Sequence, residues 1–298
     1  MTNQQVKLAT RAPVAGSTNV NGEKVAYWEW AADPGNEEPT LFFAHATGFH
    51  ARLFDAVIEH FPGRRVISVD LHGHGRSEGG PITRWLDVTD KIAALIEELK
   101  IENTVGIGHS MGGHTLAQCA GDNPRAFSHL VLFDPVIMDP RFYEDTGGIF
   151  AADTPHPASR RKRDFESVEA MIERFRNRDP YELFEPRVFE DYCRFGLTKK
   201  ADGTGYELSC LPEVEASFYG ASRTNPGIHD AVKRVTAPTT IVRAKQLPVM
   251  DFKGSPTWPQ LAEQMPNGID MPRPDRTHFH PFEDPADAAR IIAEAITA

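Results

Sequence analysis

The sequence predicts an α/β protein, with a mostly parallel sheet of eight strands, helices on both faces and a helical insertion. Three observations predict it. Short continuous apolar runs recur along the chain, as expected of strands buried on both faces. Segments of helical periodicity separate these runs, which implies right-handed crossovers between parallel strands. The alternation stops after Ile137, gives way to helical pieces until about Val235, and then resumes. The organisation read from this is a core of residues 1–136 and 236–298 carrying a helical cap at 137–235.

The elements follow in order. TNVNGEKVAYWEW (18–30) reads as a hairpin around Asn21-Gly22, a dipeptide suited to a tight primed turn. TLFFAH (40–45) and RVISVD (65–70) are buried strands, with helical pattern around 53–60 between them. In the helix predicted over 85–100, Ile92, Leu95, Ile96 and Leu99 share one face. TVGIG (104–108) is a strand, 111–120 a helix and HLVLFD (129–134) a further strand. Within the insertion, SVEAMIERFRNR places Val168, Met171, Ile172 and Phe175 on one stripe. PEVEASFYG starts at Pro212, a suitable first helical position, and ends at Gly220, a suitable C-cap. No strand is evident there. After the insertion come a strand at PTTIVRA (238–244), a helix over 256–265 and a short strand at GIDMP (268–272). Asp284 then caps a final amphipathic helix through Ile292, with Pro285 in its first turn.

The bulk numbers narrow the function classes. A length of 298 residues suits one large domain with an insertion. The net charge of −10 argues against nucleic acid or an anionic membrane as partner. The one basic run, RRKR at 160–163, reads as the solvated face of a surface helix, because Asp164 and Glu166 follow at once. Cys119, Cys193 and Cys210 are widely spaced and read as packing residues, with neither metal nor disulfide spacing. The N-terminal residues show no apolar signal region, and no stretch is long and apolar enough for a membrane helix, so cytoplasmic location is the expectation.

Three segments carry candidate chemistry. GHSMG at 108–112 fits G-x-S-x-G between a strand and a helix. Such a turn strains the serine backbone and projects the hydroxyl of Ser110 off the sheet, while the flanking glycines let strand and helix approach. The helix N-terminus adds free N–H groups and a positive dipole end. The alternative reading of Ser110 is a simple helix cap. A nucleophilic serine needs two N–H donors for the oxyanion. Met111 supplies one, and Thr47 in the HATG segment (45–48) the other. The side chain of His45 reads as local packing. The serine also needs a base, and DRTHFHPFEDP (275–285) offers His278 and His280. His278 is nearer the strand end. His280 precedes Pro281, a context that suits a surface residue. The other histidines read as structural or exposed.

HATG, DLHGHGRS (70–77), GHSMGG and THFHPFEDP, in this order on these elements, resemble the α/β-hydrolase family over about residues 20–297. The resemblance implies a nucleophile at Ser110, the base at His278, oxyanion donors at Thr47 and Met111, and a helical cap. It implies a structural role for DLHGHGRS. The orienting acid departs from the usual pattern. After the next-to-last strand this chain reads IVRAKQLPVMD, with no acid in the usual place and Asp251 further along. The family's other position, after the strand that follows the elbow helix, holds Asp134, and Asp134 is favoured over Asp251.

A serine rather than an aspartate at the elbow argues against epoxide hydrolysis and dehalogenation, which need a carboxylate nucleophile. The expected activity is hydrolysis of a carboxylic ester, thioester or lactone through an acyl-enzyme, with no cofactor and no metal. The expected partner is a small apolar ester-like molecule, and the expected state a monomer or homodimer. Phe142, Tyr143, Phe150, Phe218 and Tyr219 are apolar candidates for the cap pocket, each also readable as core packing. The alternatives are a carbon–carbon hydrolase or cofactor-free perhydrolase or oxygenase on the same scaffold, and a non-catalytic ligand-binding protein.

Overall fold

The computed structural model describes residues 12–101, 103–144, 156–247 and 251–297. The first strands, β1 (Val14–Val20) and β2 (Glu23–Trp30), form the expected antiparallel hairpin. Asn21 and Gly22 turn it with φ of 54° and 89°. Next come β3 (Thr40–Ala44), the short α1 (Asp55–Ile58), β4 (Val66–Val69), α2 (Leu86–Glu98), β5 (Thr104–His109), α3 (Met111–Asp122) and β6 (His129–Phe133). The insertion holds α4 (Arg141–Glu144), β7 (Asp164–Phe165), α5 (Val168–Phe175), α6 (Pro186–Phe195), β8 (Leu197–Lys199), β9 (Tyr206–Leu208), α7 (Pro212–Gly220) and α8 (Ile228–Val232). The chain closes with β10 (Thr239–Arg243), β11 (Gly268–Pro272), α9 (His280–Glu283) and α10 (Pro285–Thr297).

The main sheet has eight strands in the order β1-β2-β4-β3-β5-β6-β10-β11. β2 runs antiparallel to both neighbours, and the strands from β4 to β11 are parallel to one another. Alternate residues on the central strands feed two cores. Phe42, Ile67, Leu130, Leu132 and Ile241 pack toward α2, α3 and α8. Leu41, Phe43, Val66, Val105, Ile107 and Phe133 pack toward α1 and α10. Each such side chain, fully removed from water, contributes about 1.5–3 kcal/mol. This two-sided burial is why the strands read as unbroken apolar runs.

Three expectations are corrected. The insertion is not purely helical: β7, β9 and β8 form a small antiparallel sheet. Strands of two or three residues are too short to display a period of two. The helix predicted over 256–265 is a series of turns ending in one 3₁₀ turn at Ala262–Gln264. Pro259 disfavours helical backbone at Trp258, and Pro266 stops any continuation. The RRKR run is not a helix face: a 3₁₀ turn at Pro157–Arg160 precedes it, and Arg161 turns inward. Of the helices read from the sequence, the last begins as expected, with Asp284 Oδ1 accepting from Asp287 N–H, and runs on to Thr297. The three cysteines are buried and unpaired.

Candidate active site

Ser110 stands between β5 and α3 at φ 57°, ψ −115°. A non-glycine residue held there costs on the order of 1–3 kcal/mol and persists only when its surroundings fix it. They do. Its N–H donates to the Phe133 carbonyl, and its own carbonyl accepts from Val136 and His114 N–H. The flanking glycines are required by close approach: a Cβ on Gly108 would sit 2.6 Å from Gly113 Cα, and one on Gly112 would overlap the Ala44 carbonyl. The hydroxyl makes no capping bond to α3. It lies 3.0 Å from His278 Nε2.

His278 follows β11 in the turn before α9, and its Nδ1 is 2.6 Å from Asp134 Oδ2. Asp134 comes just after β6, at φ 48°. Its other oxygen, Oδ1, accepts from Ala244 N–H, Thr257 Oγ1 and Ser255 Oγ. Asp251 does not join this row; it is exposed and accepts from Lys253 N–H. His280 is buried rather than on the surface, because α9 turns it under the sheet end to meet Asp287 at 2.8 Å. Sequence reasoning missed Ser255 and Thr257, which lie in a turn-rich segment with no pattern of its own. It read His109 as structural or exposed, and the structure makes it structural. That buried ring donates from Nε2 to the His278 carbonyl at 2.7 Å, and burial drives its pKa well below the usual histidine value. Neutral His109 thereby fixes the backbone that presents His278.

The HATG loop is tied to DLHGHGRS by two more neutral histidines. His74 donates from Nδ1 to the His72 carbonyl, so its Nε2 accepts from Gly48 N–H at 2.9 Å. His45 donates to the Ala46 carbonyl and accepts from Leu71 N–H at 2.9 Å. Burial lowers His74 to about 4 and holds His45 well below the usual histidine value. Asp70 anchors the far side, accepting from Ala51 and Arg76 N–H, with burial raising its pKa to about 6. The loop leaves the Thr47 N–H without an acceptor among the described residues. Met111, first in α3, has an N–H that the helix cannot satisfy. Thr47 and Met111 touch, with Thr47 Oγ1 3.5 Å from Met111 Sδ.

Ser110 is only 6% exposed. Phe49 of the core meets Phe184 and Tyr192 of the insertion, and Phe279 and Phe282 on its own side. Of the aromatic pocket candidates, Tyr143 and Phe218 are core, Phe142 is exposed, and Tyr219 is half-buried against His156. Phe150 lies outside the described residues. No described helix is long and apolar enough to cross a membrane.

Comparison with known proteins agrees with this architecture. The Alpha/beta hydrolase family profile matches residues 41–291. A protein provisionally named a non-heme haloperoxidase, from Mycobacterium phage D29, is 32% identical over 86% of this chain and 87% of its own. The bifunctional esterase/perhydrolase of Acinetobacter calcoaceticus is 31% identical over 41% of this chain and 45% of its own. The chain spans between about a third and somewhat over half of the first curated relatives it matches. The solved structure of E-2-(acetamidomethylene)succinate hydrolase superposes with a TM-score of 0.74 at 19% identity, covering 96% of this chain and all of that one. The chain belongs to the alpha/beta hydrolase family.

Proposed function

We propose that the protein is a serine hydrolase of carboxylic esters, working through Ser110, His278 and Asp134. The observation that carries this reading is the continuous row from Ser110 Oγ to His278 Nε2 and from His278 Nδ1 to Asp134 Oδ2, beside two unsatisfied N–H donors. With Asp134 accepting at Nδ1, Nε2 is the nitrogen able to take the serine proton. Ser110 Oγ then attacks the acyl carbonyl while the Thr47 and Met111 N–H groups hold the oxyanion. His278 returns the proton to the departing alkoxide. It next deprotonates a water that attacks the acyl-enzyme and releases the acid. Asp134 stays ionised throughout and stabilises the imidazolium. The cap, residues 137–235 in this reading, supplies the pocket for a small, largely apolar ester, and its aromatic contact with Phe49 supports that role.

The test is turnover of p-nitrophenyl acetate and butyrate, before and after a fluorophosphonate probe. The expected result is hydrolysis that the probe abolishes, with the label on Ser110 by peptide mass spectrometry. Absence of both turnover and label overturns the reading.

A second reading rests on two relatives, one named an esterase/perhydrolase and one a non-heme haloperoxidase. In it hydrogen peroxide replaces water against the acyl-enzyme, so the acyl group leaves as a peracid and Ser110 regains its proton through His278. Peroxide-dependent bromination of monochlorodimedone in acetate buffer supports it; its absence beside ester turnover excludes it.

A further inference from the structure

The mechanism leaves one polar cluster in the insertion unused. Arg161 ion-pairs with Glu215 of α7 through Nη1, and through Nη2 donates to the hydroxyls of Tyr181 (3.2 Å) and Tyr192 (2.5 Å). The two tyrosine oxygens are 2.9 Å apart, so one hydroxyl donates to the other. The cluster is rich in donors. A guanidinium carries five N–H groups and two phenols carry two O–H groups. The contacts above leave the Arg161 Nε–H, one Nη1–H and one tyrosine O–H with no acceptor among the described residues.

The cluster also lies against the oxyanion loop. A Cβ on Gly48, next to Thr47, would come 2.8 Å from Glu215 Oε1. The charge of Arg161 reaches His74, the residue that holds Gly48 N–H, and adds to burial in keeping it neutral. Arg161 keeps 18% of its side chain accessible, and Tyr181 and Tyr219 are half-buried. The cluster is thus partly reachable from solvent. Burying an arginine is costly unless a charged partner balances it. Glu215 balances the charge but leaves donors to spare.

We propose that Arg161, with Tyr181 and Tyr192, forms a carboxylate subsite, so that the preferred substrate is an ester with an anionic group away from the scissile bond. This rests on the ester-hydrolase reading for its substrate but not for its binding. A substrate carboxylate shares the guanidinium with Glu215, and charge-assisted hydrogen bonds of this kind are the strong ones.

The test uses Ser110→Ala protein, which binds without turnover, and titration calorimetry at pH 7. Monoethyl glutarate, an anion, should bind at least about tenfold more tightly than ethyl pentanoate, a neutral ester of similar length, as one charge-assisted bond provides. Glu215→Gln, which removes the competing carboxylate, should widen that ratio. The double variant Arg161→Gln/Glu215→Gln removes both charges at nearly constant size, leaves no unpaired buried ion and should bring the ratio to about one. Arg161→Lys keeps the charge without the fork and should give an intermediate ratio. Equal binding in the Ser110→Ala protein, or a preference that survives the double variant, overturns the subsite. The wild-type kcat/KM values separate the two proposals. Turnover of neither ester with the binding preference intact removes the ester-hydrolase reading and leaves the subsite. Turnover of both at equal kcat/KM and equal affinity does the reverse.

Discussion

Two polar clusters lie beside the HATG loop, and they are built differently. The row of Ser110, His278 and Asp134 stands at the ends of β5, β11 and β6. Backbone groups hold each member: the Phe133 carbonyl binds Ser110, Ala244 N–H binds Asp134, and the Lys253 carbonyl binds His278 N–H. The Arg161 cluster is assembled from side chains of separate pieces of the insertion: a turn, a 3₁₀ segment, α6 and α7. Backbone anchoring gives fixed geometry, which bond-making chemistry needs. Side-chain anchoring tolerates change, which suits selection among substrates. Mutations in the two regions should therefore separate rate from selectivity.

The comparison can be broken at its strongest point first. Asp134→Asn should lower kcat for p-nitrophenyl butyrate by about 10⁴-fold, since the wrong imidazole tautomer then faces Ser110. Asp251→Asn, at an exposed loop position, should leave it within about twofold. Equal loss in both variants would sink the triad assignment.

Gly112→Ala tests whether the elbow is rigid. The added methyl meets the Ala44 carbonyl, so α3 must move off β3. Overpacking of this kind costs about 1–3 kcal/mol or more, read as a lowered midpoint in urea. Unchanged stability would mean that the elbow yields, contrary to the picture of a backbone-locked site.

Thr257→Ala removes one of the donors to Asp134 Oδ1 and sharpens the same point on a smaller scale. Loss of one hydrogen bond to a charged group is worth about 1.5–3 kcal/mol. With Ala244 and Ser255 still in place, kcat should fall by roughly tenfold and KM should hold.

Stability should also depend on pH. His50, His74 and His114 are buried with pKa values lowered by burial to about 3, 4 and 4, and burial also holds His45 and His109 well below the usual histidine value. In the unfolded chain each takes up a proton near pH 6.5. The folded state resists this, so their neutral form contributes stability that is complete above 6.5 and is lost as pH falls toward 4. Asp70 and Asp191, both raised to about 6 by burial, act in the opposite sense, because the folded state binds their protons first. Histidines outnumber these carboxylates, so unfolding near pH 5 takes up protons. Stability should fall on acidification by about 1.4 kcal/mol per pH unit for each excess proton, measured by urea titration at a series of pH values. A rise in stability between pH 6.5 and 5 would contradict the neutral histidine set.

The sequence by itself determined the sheet and marked Ser110 and His278 as candidate site residues. Apolar runs such as TLFFA and HLVLF are unbroken because both faces are buried, and GHSMG is spelled by the turn that needs it. Local chemistry and local backbone coincide there, so the residues were legible. Only the tertiary structure decided between Asp134 and Asp251, because both follow strands and the choice depends on which carboxylate the fold carries to Nδ1. It alone enlisted Ser255, Thr257 and His109, whose neighbours in sequence do not include the groups they bind. It alone turned Arg161 out of a run that reads as solvated charge. Its partners, Tyr181, Tyr192 and Glu215, lie 20 to 54 residues away, beyond the reach of any local pattern.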